Sequence, residues 1–308
     1  MFDDYKYGLS GNDLKWVIDS VDRKAKVHSI SPLKGGTSSS VYGLSIQGEQ
    51  GVSELVLRLF DNEDWVLAEP DLALHEAESL QRAARMGIQT PKIVAYDITG
   101  ISCQVPAVLM TRLPGIVDLS PANMNLWLDG LAETLVQIHS VDAEDFPWSY
   151  NPYLDINTLD IPTWTSCPYL WKKAINRIRG PRPYTKQCFI HRDYHPANVL
   201  WEGHEVSGVV DWVNACRGPV GIDVGHCRLN LALLYGTHIA DAFLAAYQRH
   251  SGSTGFNYDP YWDILSLIEI LPGPPQVYSG WTAFGITGLT DEMMIQRADQ
   301  YIQSLLAD

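Results

Sequence analysis

The sequence predicts a mixed α+β chain in two lobes. The N-terminal lobe, residues 1–112, is expected to be an antiparallel sheet with one main helix, and a larger, mostly helical lobe spans 113–308. Three observations predict this. The first third is dominated by short runs of alternating or β-branched apolar residues, the signal of strands. From Leu126 onward apolar residues recur at three- and four-residue spacing, the signal of helices. Between them, TRLPG at Thr111–Gly115 breaks both patterns and reads as the boundary. A chain of 308 residues also exceeds what one small core accommodates.

Each element follows from its local pattern. Val41–Ile46 alternates, and Glu54–Phe60 (ELVLRLF) is a β-rich run. The stretch from Leu33 to Val41 carries KGGTSSS, the glycine- and serine-rich tip of a strand–loop–strand hairpin. Asp71–Met86 is an amphipathic helix with Gly87 as its stop. Ile93–Tyr96 and Val105–Met110 are further strands. LWLDGLAETLVQIHSV, from Leu126, is the first clear helix of the second lobe. Phe146–Trp171 holds six tryptophans and tyrosines among four prolines, irregular and long for a plain connection. Residues 189–225 read as short strands and loops, and the rest as helix interrupted by LPGPP at Leu271–Pro275.

Composition removes several classes of function. Twenty-two basic against 36 acidic residues leave a formal charge of −14, the wrong sign for a nucleic-acid backbone or an anionic membrane surface. The five cysteines, Cys103, Cys167, Cys188, Cys216 and Cys227, form no C-x-x-C pair, so neither a disulfide framework nor a zinc site is expected. Small buried thiols in a reducing cytosol fit better. The N-terminal MFDDYKYGLSGNDLKW has no apolar signal, and no 18-residue apolar run occurs. A cytoplasmic protein with neither a nucleic-acid nor a membrane partner is expected.

The chemistry is concentrated in FIHRDYHPANVLW, Phe189–Trp201. His191, Asp193 and Asn198 have the spacing H-x-D-x-x-x-x-N of the protein-kinase catalytic loop. Thirteen residues past Asn198, Asp211 ends a second apolar strand, GVVDW. Phosphoryl transfer needs the acceptor hydroxyl aligned and its proton accepted, which Asp193 would do. It also needs the triphosphate charge neutralised by Mg²⁺, for which Asn198 and Asp211 offer an amide oxygen and a carboxylate. His191 would hold the loop backbone. The plain alternative is a set of Asx turns.

HRDYHPANVLW followed by GVVDWVNACRGPVGIDVGH resembles the aminoglycoside phosphotransferase and choline kinase family. The resemblance is strongest over 189–225 and implies a two-lobed protein-kinase-like fold that phosphorylates small-molecule hydroxyls with ATP or GTP. It implies that Asp223, in G-P-x-x-x-D, braces the catalytic loop; an ordinary helix N-cap is the alternative. No D-F-G or A-P-E is present, and only twelve positions separate Asp211 from Asp223, too few for a phosphorylatable activation loop.

In the first lobe, the tip with Gly35, Gly36, Thr37, Ser38 and Ser39 can fold over phosphates. Glycines admit the backbone closely and the hydroxyls donate. A simple hairpin turn is the alternative. Arg58 stands where the family carries a phosphate-binding lysine, and Glu76 matches the glutamate that pairs with it. Arginine is bulkier than lysine, and a surface salt bridge is the competing role. Ala107–Gly115 resembles the interlobe hinge, with Met110 lining the adenine pocket and backbone groups of Thr111 and Leu113 at the adenine edge.

For the acceptor, Asp263 and Glu269 could pair with ammonium groups, and Trp262 and Trp281 could stack. Core aromatics and a solvated acidic face are the alternative. His139, His195 and His226 lack metal-ligand spacing and read as packing or hydrogen-bonding residues. The sequence thus points to a Mg²⁺- and ATP- or GTP-dependent kinase of a small hydroxylated molecule, an antibiotic or a metabolite. A nucleotide-binding pseudokinase scaffold and a protein that binds no nucleotide are the competing readings.

Overall fold

The computed structural model describes residues 8–34, 38–252, 257–269 and 273–306. The chain divides into two compact units, one of Met1–Gly115 with Ser207–Asn214 and one of Ile116–Val206 with Ala215–Asp308.

The first unit opens with helix α1, Gly11–Val21, which the strand pattern does not anticipate. Ser10 and Asp13 form a reciprocal capping box at its start. Strands β1 (Lys26–Pro32), β2 (Ser40–Gly48) and β3 (Gly51–Leu59) follow as consecutive antiparallel hairpins. Helices α2 (Glu63–Ala68) and α3 (Leu72–Ala83) precede β4 (Ile93–Asp97) and β5 (Ala107–Thr111). The sheet order is β1-β2-β3-β5-β4. Two-residue alternation puts Leu55, Leu57 and Leu59 into a core shared with Leu14 and Val17 of α1. Arg58, of opposite parity, meets Glu76 of α3.

The expected boundary at 112/113 falls three residues early, and a distant segment joins the first unit. Ser207 Oγ donates to the Pro114 carbonyl at 2.8 Å, and the Val209 N–H to the Gln89 carbonyl at 3.2 Å. Gly208 is needed between them, because a Cβ there would stand 2.8 Å from the Gln89 oxygen. These contacts carry Asp211 into the first unit.

The second unit contains β6 (Ile116–Val117), α4 (Met124–His139), α5 (Pro168–Arg179) and β7 (Gln187–Ile190). A 3₁₀ turn at Pro196–Asn198 leads into β8 (Val199–Glu202) and the start of β9 (Glu205–Val209), whose residues from Ser207 belong to the first unit; β10 (Cys216–Pro219) follows. Helices α6 (Gly221–Tyr235), α7 (Thr237–His250), α8 (Tyr261–Glu269), α9 (Ser279–Ala283) and α10 (Asp291–Leu306) complete it. The aromatic stretch ahead of α5 is irregular as expected, and Asp299 of α10 ties it down. That carboxylate accepts from Thr165, Ser166 and the indole N–H of Trp171. β7 pairs antiparallel with β10, so the loop leaving β7 and the first turn of α6 come together. All five cysteines are thiols.

Candidate active site

The catalytic-loop residues lie in the second unit. Asp223 sits in the first turn of α6 and is fully buried. Val220 holds the N-cap position, so Asp223 is not the cap. Its carboxylate accepts the backbone N–H of His191 at 2.8 Å and of Arg192 at 2.6 Å, and meets His139 Nε2 at 3.1 Å. A buried carboxylate spent on two consecutive loop amides fixes the backbone immediately before Asp193.

Asp193 is partly open, its side chain 31% exposed. Its Oδ1 lies 3.1 Å from His226 Nε2 and 3.7 Å from His195 Nε2. Asn198 Nδ2 donates to the Asp193 carbonyl at 2.9 Å and to Oδ2 at 3.3 Å. Burial pushes the Asp193 carboxyl up, but the His195 and His226 imidazoles outweigh it and hold it well below the ordinary carboxylate range. Burial likewise pushes His226 down, and the Asp193 carboxylate more than reverses this, leaving the imidazole above its ordinary value. The two groups thus stabilise each other's charged forms. The sequence marks His195 and His226 as packing or hydrogen-bonding residues without naming Asp193 as their partner. The usable signal was spacing: His226 follows Asp223 by three positions on α6, so both project from one face of the helix.

The phosphate-binding candidates lie in the first unit. Arg58 is buried and its Nη1 donates to Glu76 at 3.0 Å and to Asp211 at 2.7 Å, while Nε donates to Ser39 Oγ at 2.8 Å. The rings of Phe60 and Trp65 lie 5.2 and 6.0 Å from the guanidinium carbon. This is not a solvent-facing salt bridge. Burial pushes the Glu76 carboxyl up, and Arg58 opposes it. Asp211 has φ +66°, the left-handed region that aspartate tolerates better than most residues. Ser38 is half-buried beside Ser39; Gly35, Gly36 and Thr37 lie outside the described residues.

At the hinge candidates, Met110 is buried at the end of β5. The Thr111 N–H donates to the Lys92 carbonyl at 2.9 Å, and Thr111 Oγ1 accepts the Lys92 N–H at 2.8 Å. The amide of Thr111 is therefore committed within the sheet, and of the two residues Leu113 is the one whose N–H stays uncommitted among the described hydrogen bonds.

The acceptor candidates separate. Trp262, Asp263 and Trp281 are interior residues. Asp263 Oδ1 accepts from Arg228 at 2.9 Å, Tyr258 at 2.8 Å and Tyr301 at 2.7 Å, a buried network joining α6, α8 and α10. α8 is buried on every side except at its end, which is why these residues pack rather than present themselves to a ligand. Glu269, at that end, is partly open. It accepts the Tyr150 hydroxyl at 3.2 Å, and burial raises its carboxyl against the pull of His226, Tyr150 and Arg192.

Mg²⁺ requires oxygen donors, and each unit by itself offers one that fits. Asn198 uses its Nδ2 for both side-chain hydrogen bonds and keeps its amide oxygen, and Asp211 commits Oδ1 to Arg58 and keeps Oδ2. Among the described residues no cluster of three His, Cys, Asp or Glu could hold a metal. Mg²⁺ commonly keeps waters and substrate phosphates among its ligands.

Residues 29–263 match the model of the phosphotransferase enzyme family, so the chain belongs to that family. Homoserine kinases of Brucella species, for example Brucella abortus (strain 2308), are 26% identical over 167 residues. That match covers 48% of this chain and 49% of the relative, so the chain spans about half the length of the curated relatives it matches. The solved aminoglycoside phosphotransferase APH(4)-Ia, in complex with AMP-PNP and hygromycin B, superposes with a TM-score of 0.63 at 15% identity, covering 96% of this chain and 99% of that one. A choline kinase of Streptococcus pneumoniae gives 0.59 at 15%, covering 96% and 98%. The fold is thus the protein-kinase-like fold of this family. No helix of the described residues is long and apolar enough to cross a membrane.

Proposed function

We propose that the chain transfers the γ-phosphoryl group of ATP or GTP to a hydroxyl of a small molecule. The observation that carries this is Asp193. It is a partly exposed carboxylate held between His226 and the Asn198 amide, on a backbone clamped by Asp223. Such a group accepts a hydrogen bond from an acceptor hydroxyl and aims its oxygen lone pair. As the oxygen–phosphorus bond forms and the bond from the γ-phosphorus to the β–γ bridging oxygen breaks, the hydroxyl proton passes to the Asp193 carboxylate. The products are a phosphomonoester and a nucleoside diphosphate.

In the first unit, Arg58 presents the remaining guanidinium nitrogen, Nη2, to nucleotide phosphate, with Ser38 and Ser39 as hydroxyl donors. Asn198 in the second unit and Asp211 in the first would each offer an oxygen to Mg²⁺, which neutralises phosphate charge when bound. The nucleotide and acceptor seen with a solved relative, and the kinases of unlike acceptors among the others, support phosphotransfer to alcohols as the common chemistry. A reducing compartment suits the five thiols.

The test is a transfer assay over hydroxylated small molecules with Mg-ATP and Mg-GTP, read as product mass, in wild type and Asp193→Asn. Asparagine keeps the size but cannot accept the proton. We expect kcat to fall by about 10²-fold or more, the contribution of general-base catalysis, with nucleotide affinity preserved. Asparagine would serve an Asx turn equally well, so retention of most wild-type kcat would remove Asp193 from the chemistry.

A further inference from the structure

Phosphoryl transfer as described makes no use of the side chain immediately before Asp193. Arg192 has φ +68°, in the left-handed region that glycine enters without strain and arginine does not. Only its backbone N–H serves the loop, through Asp223. The side chain is partly buried. Its guanidinium carbon lies 4.0 Å from the Tyr153 ring centroid and 5.3 Å from that of Tyr150, and Nη2 donates to the Asn151 carbonyl at 2.5 Å. Nε is buried and makes no hydrogen bond. Among the described residues no carboxylate stands within ion-pairing distance of this guanidinium. A second cation, Arg182, also stacks on Tyr150, at 5.1 Å. Glu269, the acid nearby, accepts the Tyr150 hydroxyl and feels Arg192 at longer range without forming an ion pair with it.

A partly buried cation normally has an anion. Here two tyrosine rings and one carbonyl hold the guanidinium on a strained backbone, Glu269 acts on it only from beyond ion-pairing distance, and its buried Nε has no acceptor. We infer that the acceptor supplies the anion: Arg192 binds a carboxylate of the acceptor. The substrate class is then a small hydroxylated carboxylate, a hydroxy acid or hydroxy amino acid, and not a polycationic aminoglycoside. The planar guanidinium fork matches a carboxylate in geometry as well as charge. This inference rests on the phosphotransferase reading. A nucleotide phosphate is the other possible source of an anion, and the experiment separates the two.

The full chain is assayed with L-homoserine, 4-hydroxybutyrate and D-glycerate, each beside its uncharged primary amide, and with kanamycin as the polycation. Wild type, Arg192→Gly and Arg192→Lys are compared. Glycine suits φ +68°, so Arg192→Gly should fold, as circular dichroism and Tm will show; Arg192→Lys keeps the charge and serves if glycine misfolds. In wild type the best acid should exceed its amide in kcat/KM by about 10²-fold, the scale of a desolvated charged hydrogen bond. In Arg192→Gly that ratio should collapse towards one, and Arg192→Lys should fall between. The nucleotide KM should move by less than about threefold while the acid loses its advantage.

A wild-type preference for kanamycin or for the amides overturns the inference. So does an unchanged ratio in Arg192→Gly, or a loss appearing in the nucleotide KM, which would assign the anion to phosphate. Calorimetric titration of the acids in the presence of Mg-AMP-PNP makes the two levels distinguishable. Arg192-dependent binding without turnover of any acceptor would sink the phosphotransferase reading and keep the anion site. Turnover of alcohols without Arg192-dependent acid binding would do the reverse.

Discussion

Arg58→Ala should destabilise the first unit by an amount the structure allows to be worked out. Arg58 and Glu76 are 5% and 1% exposed, and the guanidinium is the cation facing the Glu76 carboxylate. Deleting one partner of a buried ion pair costs about 3–5 kcal/mol, because the remaining charge is left unpaired. The Asp211 side chain, 35% exposed, adds at most about 1 kcal/mol once solvent screening is allowed for. Loss of the stacking on Phe60 and Trp65 adds a similar amount. A total of about 5 kcal/mol is expected at neutral pH, below the full sum because such contributions are not additive.

The loss should depend on pH. Burial already raises the Glu76 carboxyl, and without Arg58 nothing opposes that. An acid whose folded-state pKa lies above its unfolded value binds its proton more tightly when folded. Stability then falls as pH rises from the unfolded value through the folded one. Arg58→Ala should therefore be closer to wild type at pH 5 than at pH 8. The assay is urea unfolding followed by far-UV circular dichroism at both pH values, with Glu76→Met and the double variant closing the cycle. Glu76→Met in the Arg58→Ala background should recover about 2 kcal/mol or more, since the orphaned charge is gone. A loss below about 1 kcal/mol, independent of pH and additive with Glu76→Met, would refute the buried-pair reasoning.

Two further outcomes are expected. His226 titrates above its ordinary 6.5 because Asp193 outweighs burial, so its stabilising contribution is complete below that value and lost as pH rises through the raised one. Urea midpoints of wild type should thus fall towards those of His226→Gln between pH 6 and the alkaline range, and a constant difference would show that the imidazolium pair does not exist. Gly225→Ala should cost about 1–3 kcal/mol despite alanine's better helix propensity of about 1 kcal/mol, because its Cβ would lie 2.5 Å from the Trp262 backbone oxygen on α8. An unchanged Tm would mean that α6 and α8 can separate freely.

The sequence by itself determined the local parts. Alternation marked the strands that became β2 and β3, and three- and four-residue spacing marked α3 and α4. The kinase-type spacing His191, Asp193, Asn198 was legible because all three sit on one short loop, where sequence distance and spatial distance agree. Only the tertiary structure decided what these groups face. Arg58 and Asp211 are 153 residues apart, yet share a hydrogen bond because residues 207–214 fold into the first unit against Gln89 and Pro114. The two histidines that flank the Asp193 carboxylate come from the residue ahead of the 3₁₀ turn and from α6, brought together by the pairing of β7 with β10. Trp262 and Asp263 carried ligand-binding chemistry in their side chains, and burial of α8 turned both to packing. Periodicity reports which face of an element is apolar. It carries no information on which distant element covers that face, because covering it is a matter of long-range packing.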